Sequence, residues 1–296
     1  MHELVPRPLL DAVAAGARSW RSTGPVLSID LVGFTSMAWT LAANGDRGAE
    51  ALADIADEVF APIVEAVHEH GGYVAEFGGD AILAIFPAAG ESRATGDVSA
   101  ADDLLDAAAA AVTISRTARE RAPISTRFGR FEVGVKVALV VGDVRWDVLD
   151  DEAGTRSGYV AWGAAVQRAA ELASTGSPGE VLVDPATAYL LRPSVPIEER
   201  DGQHLLAAPD LGRPLRPLPT LPRPPHPLAA RFAPERLLTW DRRGELRPVL
   251  TAFIGLDRDA PIEDVRRLVS DIFRLTETYG GVLHQVERSE KGWVIL

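Results

Sequence analysis

Two acids interrupt segments that are otherwise apolar. Asp30 lies inside Val26-Leu27-Ser28-Ile29-Asp30-Leu31-Val32, and Asp80 follows Gly78-Gly79 in "YVAEFGGDAILAIFP", Tyr73 to Pro87. The second segment reads as a hairpin, two β-type runs around a glycine pair. A turn needs glycine; it does not need an acid followed at once by Ala-Ile-Leu-Ala-Ile-Phe. Where the first strand and the hairpin are neighbours in one sheet, Asp30 and Asp80 approach each other at a strand end. Two carboxylates so placed repel and desolvate one another unless a cation lies between them. All-oxygen ligation by carboxylates suits Mg²⁺ or Mn²⁺ and not zinc. Past Asp30, "LVGFTS" leads into a helix, and a glycine turn there can offer backbone N–H groups to phosphate oxygens.

The elements that must position these groups are legible. "PVLSIDLVGF" predicts a buried strand. Leu52, Ile55, Val59, Ile63 and Val67 predict a helix from about Arg47 to His70, stopped by Gly71-Gly72. After the hairpin come an Ala-rich helix over 98–121, a strand in "FEVGVKVALVVGDV", a helix near 162–173, a strand in "GEVLVD" and a closing hairpin in "IEERDGQHLLAAP". The order β-α-β-β-α-β predicts an α+β, ferredoxin-like unit with elaborations. A short amphipathic helix near 8–17 precedes it.

From Pro209 to Pro227 eight of nineteen residues are proline. Such a stretch predicts an extended spacer and a domain boundary. The opening pattern then returns. "GPVLSIDLVGF" is echoed by "RPVLTAFIGLD", and "FAPIVEAVHEHGGYVAE" by "VSDIFRLTETYGGVLHQ". The second copy carries Phe253 where the first has Asp30, and it breaks off at "KGWVIL". The expected organisation is an N-terminal helix over 1–22, a complete domain over 23–207, a linker over 208–245 and a truncated second copy over 246–296. A sheet cut there exposes an edge, so a longer natural protein and some self-association are expected.

"SIDLVGFTSM" and "AEFGGDAILAIF" closely resemble the two metal-binding segments of the class III nucleotidyl cyclases, and the tandem arrangement resembles the soluble adenylyl cyclases. The resemblance covers about 22–205 and again 246–296. It implies a metal-bearing half of a cyclase that converts ATP to 3′,5′-cyclic AMP and pyrophosphate. Asp30 and Asp80 would bind two ions, Mg²⁺ or Mn²⁺, with the backbone carbonyl of Leu31. Gly33, Phe34 and Thr35 would hold the triphosphate through backbone N–H groups. Lys136, in "VKVALVVGDV", falls at the family's basic residue for the β- and γ-phosphates.

The departures from the family pattern matter as much. In "WGAAVQRAAELAS", Gln167 and Glu171 stand where the family has the Asn and Arg that stabilise the transition state. A Glu cannot donate to a phosphoryl group. The resemblance therefore implies that the remainder of a second cyclase domain supplies those groups, and that residues 1–296 alone have little activity. The purine-binding residues are undetermined. Glu76 and Gln285 occupy the family's purine-reading position in the two copies, and ATP is favoured on resemblance only. Glu76 and Ala170 replace the Lys and Arg with which family members sense bicarbonate, which speaks against that regulation. A second reading is a degenerate cyclase-like module that binds nucleotide, or pairs domains, to regulate an attached effector.

Composition limits the partners. A net charge of −12 and a pI near 5.0 argue against broad binding to nucleic acid or anionic membrane, while leaving room for a small cationic site. No cysteine is present, which excludes disulfides and thiolate chemistry and fits a cytoplasmic location. No signal peptide or membrane span is legible. Lysine occurs only at 136 and 291 among many arginines.

Overall fold

A computed structural model of the chain describes residues 5–86, 100–216, 227–233, 249–289 and 291–296. The main sheet is built on β1 (Ser19–Val32), the hairpin β2 (Tyr73–Gly78) and β3 (Ala81–Ile85), and β6 (Gly134–Asp150). Their order is β2-β3-β1-β6, every neighbour antiparallel. Helices α2 (Phe34–Ala42) and α3 (Asp46–Glu69) connect β1 to β2, and α4 (Ala100–Arg121) precedes β6. This is the expected ferredoxin-like βαββαβ unit. The sheet continues through β8 (Val181–Val183), parallel to β6, to the closing hairpin β9 (Ile197–Arg200) and β10 (Gln203–Leu206). A small hairpin, β4 (Ile124–Thr126) and β5 (Gly129–Phe131), leads into β6.

β1 is apolar without strict alternation because both of its faces are covered. Leu27, Ile29 and Leu31 pack with Ile63, Val67, Ala107 and Ile114 of α3 and α4. Val26 packs on the other face with Trp146 and with Ala165 and Ala169 of α5 (Ala164–Thr175). Leu9 and Leu10 of α1 (Arg7–Ala14) belong to that second layer. The N-terminal helix is thus part of the fold, and β1 begins at Ser19, ahead of the boundary expected after residue 22.

Three features were not legible in the sequence. β6 runs 17 residues and extends beyond the core as an arm with β7 (Ser157–Trp162). A helix, α6 (Pro185–Leu191), follows β8, capped by Asp184 on the Thr187 amide. The first part of the proline-rich stretch is docked along α4. Arg213 and Arg216 donate to Asp106 at 2.7 and 2.9 Å, and Arg116 pairs with Asp210 at 3.0 Å. Residues 217–226 and 234–248 of the expected linker lie outside the described residues; between them is a short turn of helix, α7 (Ala229–Phe232).

The C-terminal segment forms β11 (Ile254–Leu256), α8 (Ile262–Tyr279), β12 (Val286–Ser289) and β13 (Gly292–Ile295), in sheet order β11-β13-β12. That connectivity and order repeat β1-β3-β2. β11 is far shorter than the strand predicted from Val249. β1 is held between β3 and β6, whereas β11 has only β13, so Val249, Leu250 and Phe253 stay exposed and outside the ladder. The segment is bound to the arm through Leu149, Val160, Val265, Val269, Phe273, Val286 and Trp293, which form one cluster. Arg266 of α8 clamps it by donating to buried Asp147 at 2.8 Å and to Ser19 Oγ at 2.6 Å.

Candidate active site

Asp30 lies near the end of β1, opposite Ala81 of β3 on one side and Lys136 of β6 on the other. Asp80 is the second residue of the two-residue β2–β3 turn. Gly79 precedes it at φ +68, the conformation a type II′ hairpin turn asks of its first central residue. The turn is tied to β1 by the Leu31 amide, which donates to the Asp80 carbonyl at 3.1 Å. The ladder register and this backbone hydrogen bond together place the two acids at neighbouring backbone positions.

Gly33 starts α2 with φ +82, and a Cβ there would stand 2.3 Å from the Glu132 carbonyl oxygen. Only glycine fits where the chain leaves β1 so close to the approach to β6. The first turn of α2 carries Phe34 and Thr35. The Phe34 ring packs edge-on against Phe60 of α3 at 5.4 Å, anchoring the helix. The Thr35 hydroxyl donates to Asp80 Oδ2 at 2.5 Å, so α2 and the hairpin turn share one carboxylate.

Electrostatics agree with this arrangement. The Asp30 carboxyl is held above the usual range, first by burial and then by the Asp80 charge, with Lys136 opposing. Lys136 is directed to the far end of α5, where its ammonium donates to the Ser174 carbonyl at 3.4 Å. Among the described residues no cluster of three or more His, Cys, Asp or Glu could enclose a cation. The donor set is two carboxylates beside the Leu31 backbone and an uncapped helix N-terminus. A hard divalent cation fits it: it would relieve the charge that holds Asp30 up, and leave coordination positions for phosphate oxygens.

The structure therefore gathers Asp30, Leu31, Gly33, Phe34, Thr35 and Asp80 at one strand end, with Lys136 on the neighbouring strand. Gln167 and Glu171 lie on α5. Glu76 and Gln285 meet at another place. Gln285 Nε2 donates to Glu76 Oε1 at 2.5 Å across the junction with the C-terminal segment. Beside them is a cavity of about 340 Å³ lined by Phe77, Tyr159, Arg231 and Phe273. Burial pushes the Glu76 carboxyl up to about 8, against the Gln285 hydrogen bond and with help from Glu287. Sequence reading missed the Thr35–Asp80 bond and the Leu31–Asp80 backbone link. The first had a signal in the short spacing between Asp30 and Thr35; the second had none.

No curated protein matches the chain. Among solved structures it is similar to the adenylyl cyclase CyaB from P. aeruginosa, at 20% identity over 67% of this chain and 93% of that one, TM-score 0.49. The guanylyl cyclase domain of the RhoGC fusion protein from Blastocladiella emersonii matches at 19% identity over 64% and 96%, TM-score 0.47. The guanylate cyclase domain of RhGC from Catenaria anguillulae, solved in complex with GTP, matches at 19% identity over 64% and 96%, TM-score 0.48. Among the described residues no helix is long and apolar enough to cross a membrane. The family model for the adenylate and guanylate cyclase catalytic domain matches residues 23–211, most of the chain and all of the unit that carries Asp30 and Asp80. The chain belongs to the class III nucleotidyl cyclases.

Proposed function

We propose that residues 23–207 are the metal-bearing half of a tandem nucleotidyl cyclase, that 208–245 link it onward, and that 246–296 are the opening part of a second, degenerate domain. The observation that carries this reading is the Asp30–Asp80 pair, neighbours through the ladder register and the Leu31 amide and sharing Thr35 with the start of α2. Asp30, Asp80 and the Leu31 carbonyl would hold two divalent ions, Mg²⁺ or Mn²⁺. Bound there, such ions would supply a lowered pKa for the ribose 3′-hydroxyl and charge neutralisation at the α-phosphate.

The protein's own part is positioning. The amides of Gly33, Phe34 and Thr35 face the triphosphate at the positive end of α2. Thr35 keeps one Asp80 oxygen directed, and Lys136 offsets negative charge at the adjacent strand. The substrate is a nucleoside triphosphate, with ATP favoured, and the products are the 3′,5′-cyclic nucleotide and pyrophosphate. Gln167 and Glu171 leave the transition-state donors to a second domain, so this chain alone should turn over little substrate. The same two residues favour the alternative, a cyclase-like module that binds nucleotide and regulates an attached effector.

Product formation separates the readings. The full chain is incubated with Mn²⁺ and either ATP or GTP, alone and with an added cyclase domain that carries the Asn and Arg, and cyclic nucleotide is quantified by mass spectrometry. The cyclase reading expects product with the added domain, and its loss in Asp80→Asn. Absence of product from both nucleotides under both conditions would leave the regulatory module.

A further inference from the structure

The seam between the β6–β7 arm and the C-terminal segment gathers cations that nothing in the cyclase reading uses. Arg145 and Trp162 are cross-strand partners on β6 and β7, and Arg21 of β1 lies directly opposite Arg145. Arg288 and Trp293 are cross-strand partners on β12 and β13. The two rows meet ring to ring, with Trp162 and Trp293 centroids 5.7 Å apart. The Arg145 and Arg288 guanidinium carbons stand 5.0 and 4.0 Å from the Trp162 ring centre, and Arg288 is also 5.0 Å from that of Trp293. Arg288 donates to the Arg258 carbonyl at 3.2 Å, which brings the Arg258 loop into the group.

This grouping has an electrostatic cost that the tryptophan rings and Asp259 offset only in part. Like charges directly opposite on paired strands, as Arg21 and Arg145 are, destabilise a sheet. Arg288 is held below the usual arginine range, first by burial and then by Arg145 and Arg258, with Asp259 alone opposing. Among the described residues most arginines are in ion pairs, yet none of Arg21, Arg145, Arg258 and Arg288 is. Two acids on β6 beside Arg145 already have hydrogen-bond partners of their own. Asp147 accepts from Trp162 Nε1 at 2.8 Å and from Arg266, and Asp143 accepts from Thr23 at 2.6 Å.

We propose that Arg145, Arg258 and Arg288, gathered at Trp162 and Trp293 and extended by Arg21, bind a phosphate-bearing polyanion across the seam between the two units. Planar guanidiniums pair bidentately with phosphate oxygens. Three or four of them call for more than one negative charge, which favours a phosphate chain over a single carboxylate. The site is separate from the candidate active site: Arg21 and Asp30 are nine residues apart on β1, roughly 30 Å at the rise of a strand. Because Arg145 belongs to the first unit and Arg258 and Arg288 to the C-terminal segment, the ligand would clamp that segment to the arm. The phosphate could be a free polyphosphate or part of a nucleotide.

The test is calorimetric titration of the full chain with sodium tripolyphosphate and, separately, with ATP. EDTA is present and NaCl holds the ionic strength constant, so that neither metal at Asp30 nor general screening contributes. Saturable one-to-one binding is expected, weakened about tenfold or more in Arg145→Ala and in Arg258→Ala and unchanged in Asp30→Asn. Both arginines are exposed, and melting curves confirm that the variants fold. Equal affinity for the two ligands assigns the phosphate chain alone, and tighter ATP assigns a nucleotide. Failure to saturate, binding indifferent to both arginine variants, or binding lost in Asp30→Asn would overturn the proposal.

Discussion

At the scale of single residues, the carboxyls of Asp30 and Glu76 are both held above their usual range, each first by burial. Glu76 is closed in by the C-terminal segment and bonded to Gln285, and its carboxyl is pushed up to about 8. A carboxyl whose folded pKa lies above its unfolded value contributes most below the unfolded value, and that contribution is lost as pH rises towards about 8. Glu76→Gln keeps the shape and removes the titration. Its melting temperature should match wild type near pH 4 and exceed it by a few degrees at pH 8.5, as followed by calorimetry across that range. Asp30 is raised by burial and by Asp80, so the same sign applies. Asp30→Asn should melt above wild type at neutral pH in EDTA, a stability gained at the expense of the site. Asp30 and Asp80 were legible because a charge inside an apolar run contradicts its surroundings. The Glu76–Gln285 bond was not, because it joins residues 209 positions apart through a docking the sequence does not specify.

At the scale of elements, the site depends on how β1 hands over to α2 and on the tip of the β2–β3 hairpin. Gly33 allows that handover, with positive φ and the Glu132 carbonyl where a side chain would begin. Gly33→Ala should destabilise the fold by about 1–3 kcal/mol and displace the first turn of α2. Denaturant unfolding would measure the first effect, and loss of Mn²⁺–nucleotide affinity the second. The strands and long helices of the core were readable from period and glycine stops, since each buries a face that its own sequence declares. The arm was not. β7 has polar and small residues along half its length, and its apolar ones, such as Val160 and Trp162, are covered by residues more than a hundred positions later. The strand predicted from Val249 fell short for the converse reason: its apolar sequence has no second neighbour to pair with.

At the scale of the whole molecule, the C-terminal β-α-β-β segment repeats the order of β1, β3 and β2 and is held to the arm by an apolar cluster, by Arg156 on Phe273 and Glu277, and by the Arg266–Asp147 ion pair. Removing Arg266 leaves Asp147 buried beside Ser19 and Trp162 without its cation. Breaking a buried pair in this way is typically worth about 3–5 kcal/mol. Arg266→Ala should therefore loosen residues 249–296 ahead of the main sheet. Hydrogen exchange would detect this as faster exchange in α8 and β12, with β1 and β6 unchanged; uniform loss of protection would contradict the latch.

The central claim is that Asp30 and Asp80 form one cation site, and Mn²⁺ binding tests it without requiring turnover. Calorimetric titration of the full chain with Mn²⁺ and a non-hydrolysable ATP analogue should give saturable binding that depends on both components. Asp80→Asn and Asp30→Asn should each abolish it while the protein remains folded. Equal Mn²⁺ affinity in wild type and both variants would contradict the account.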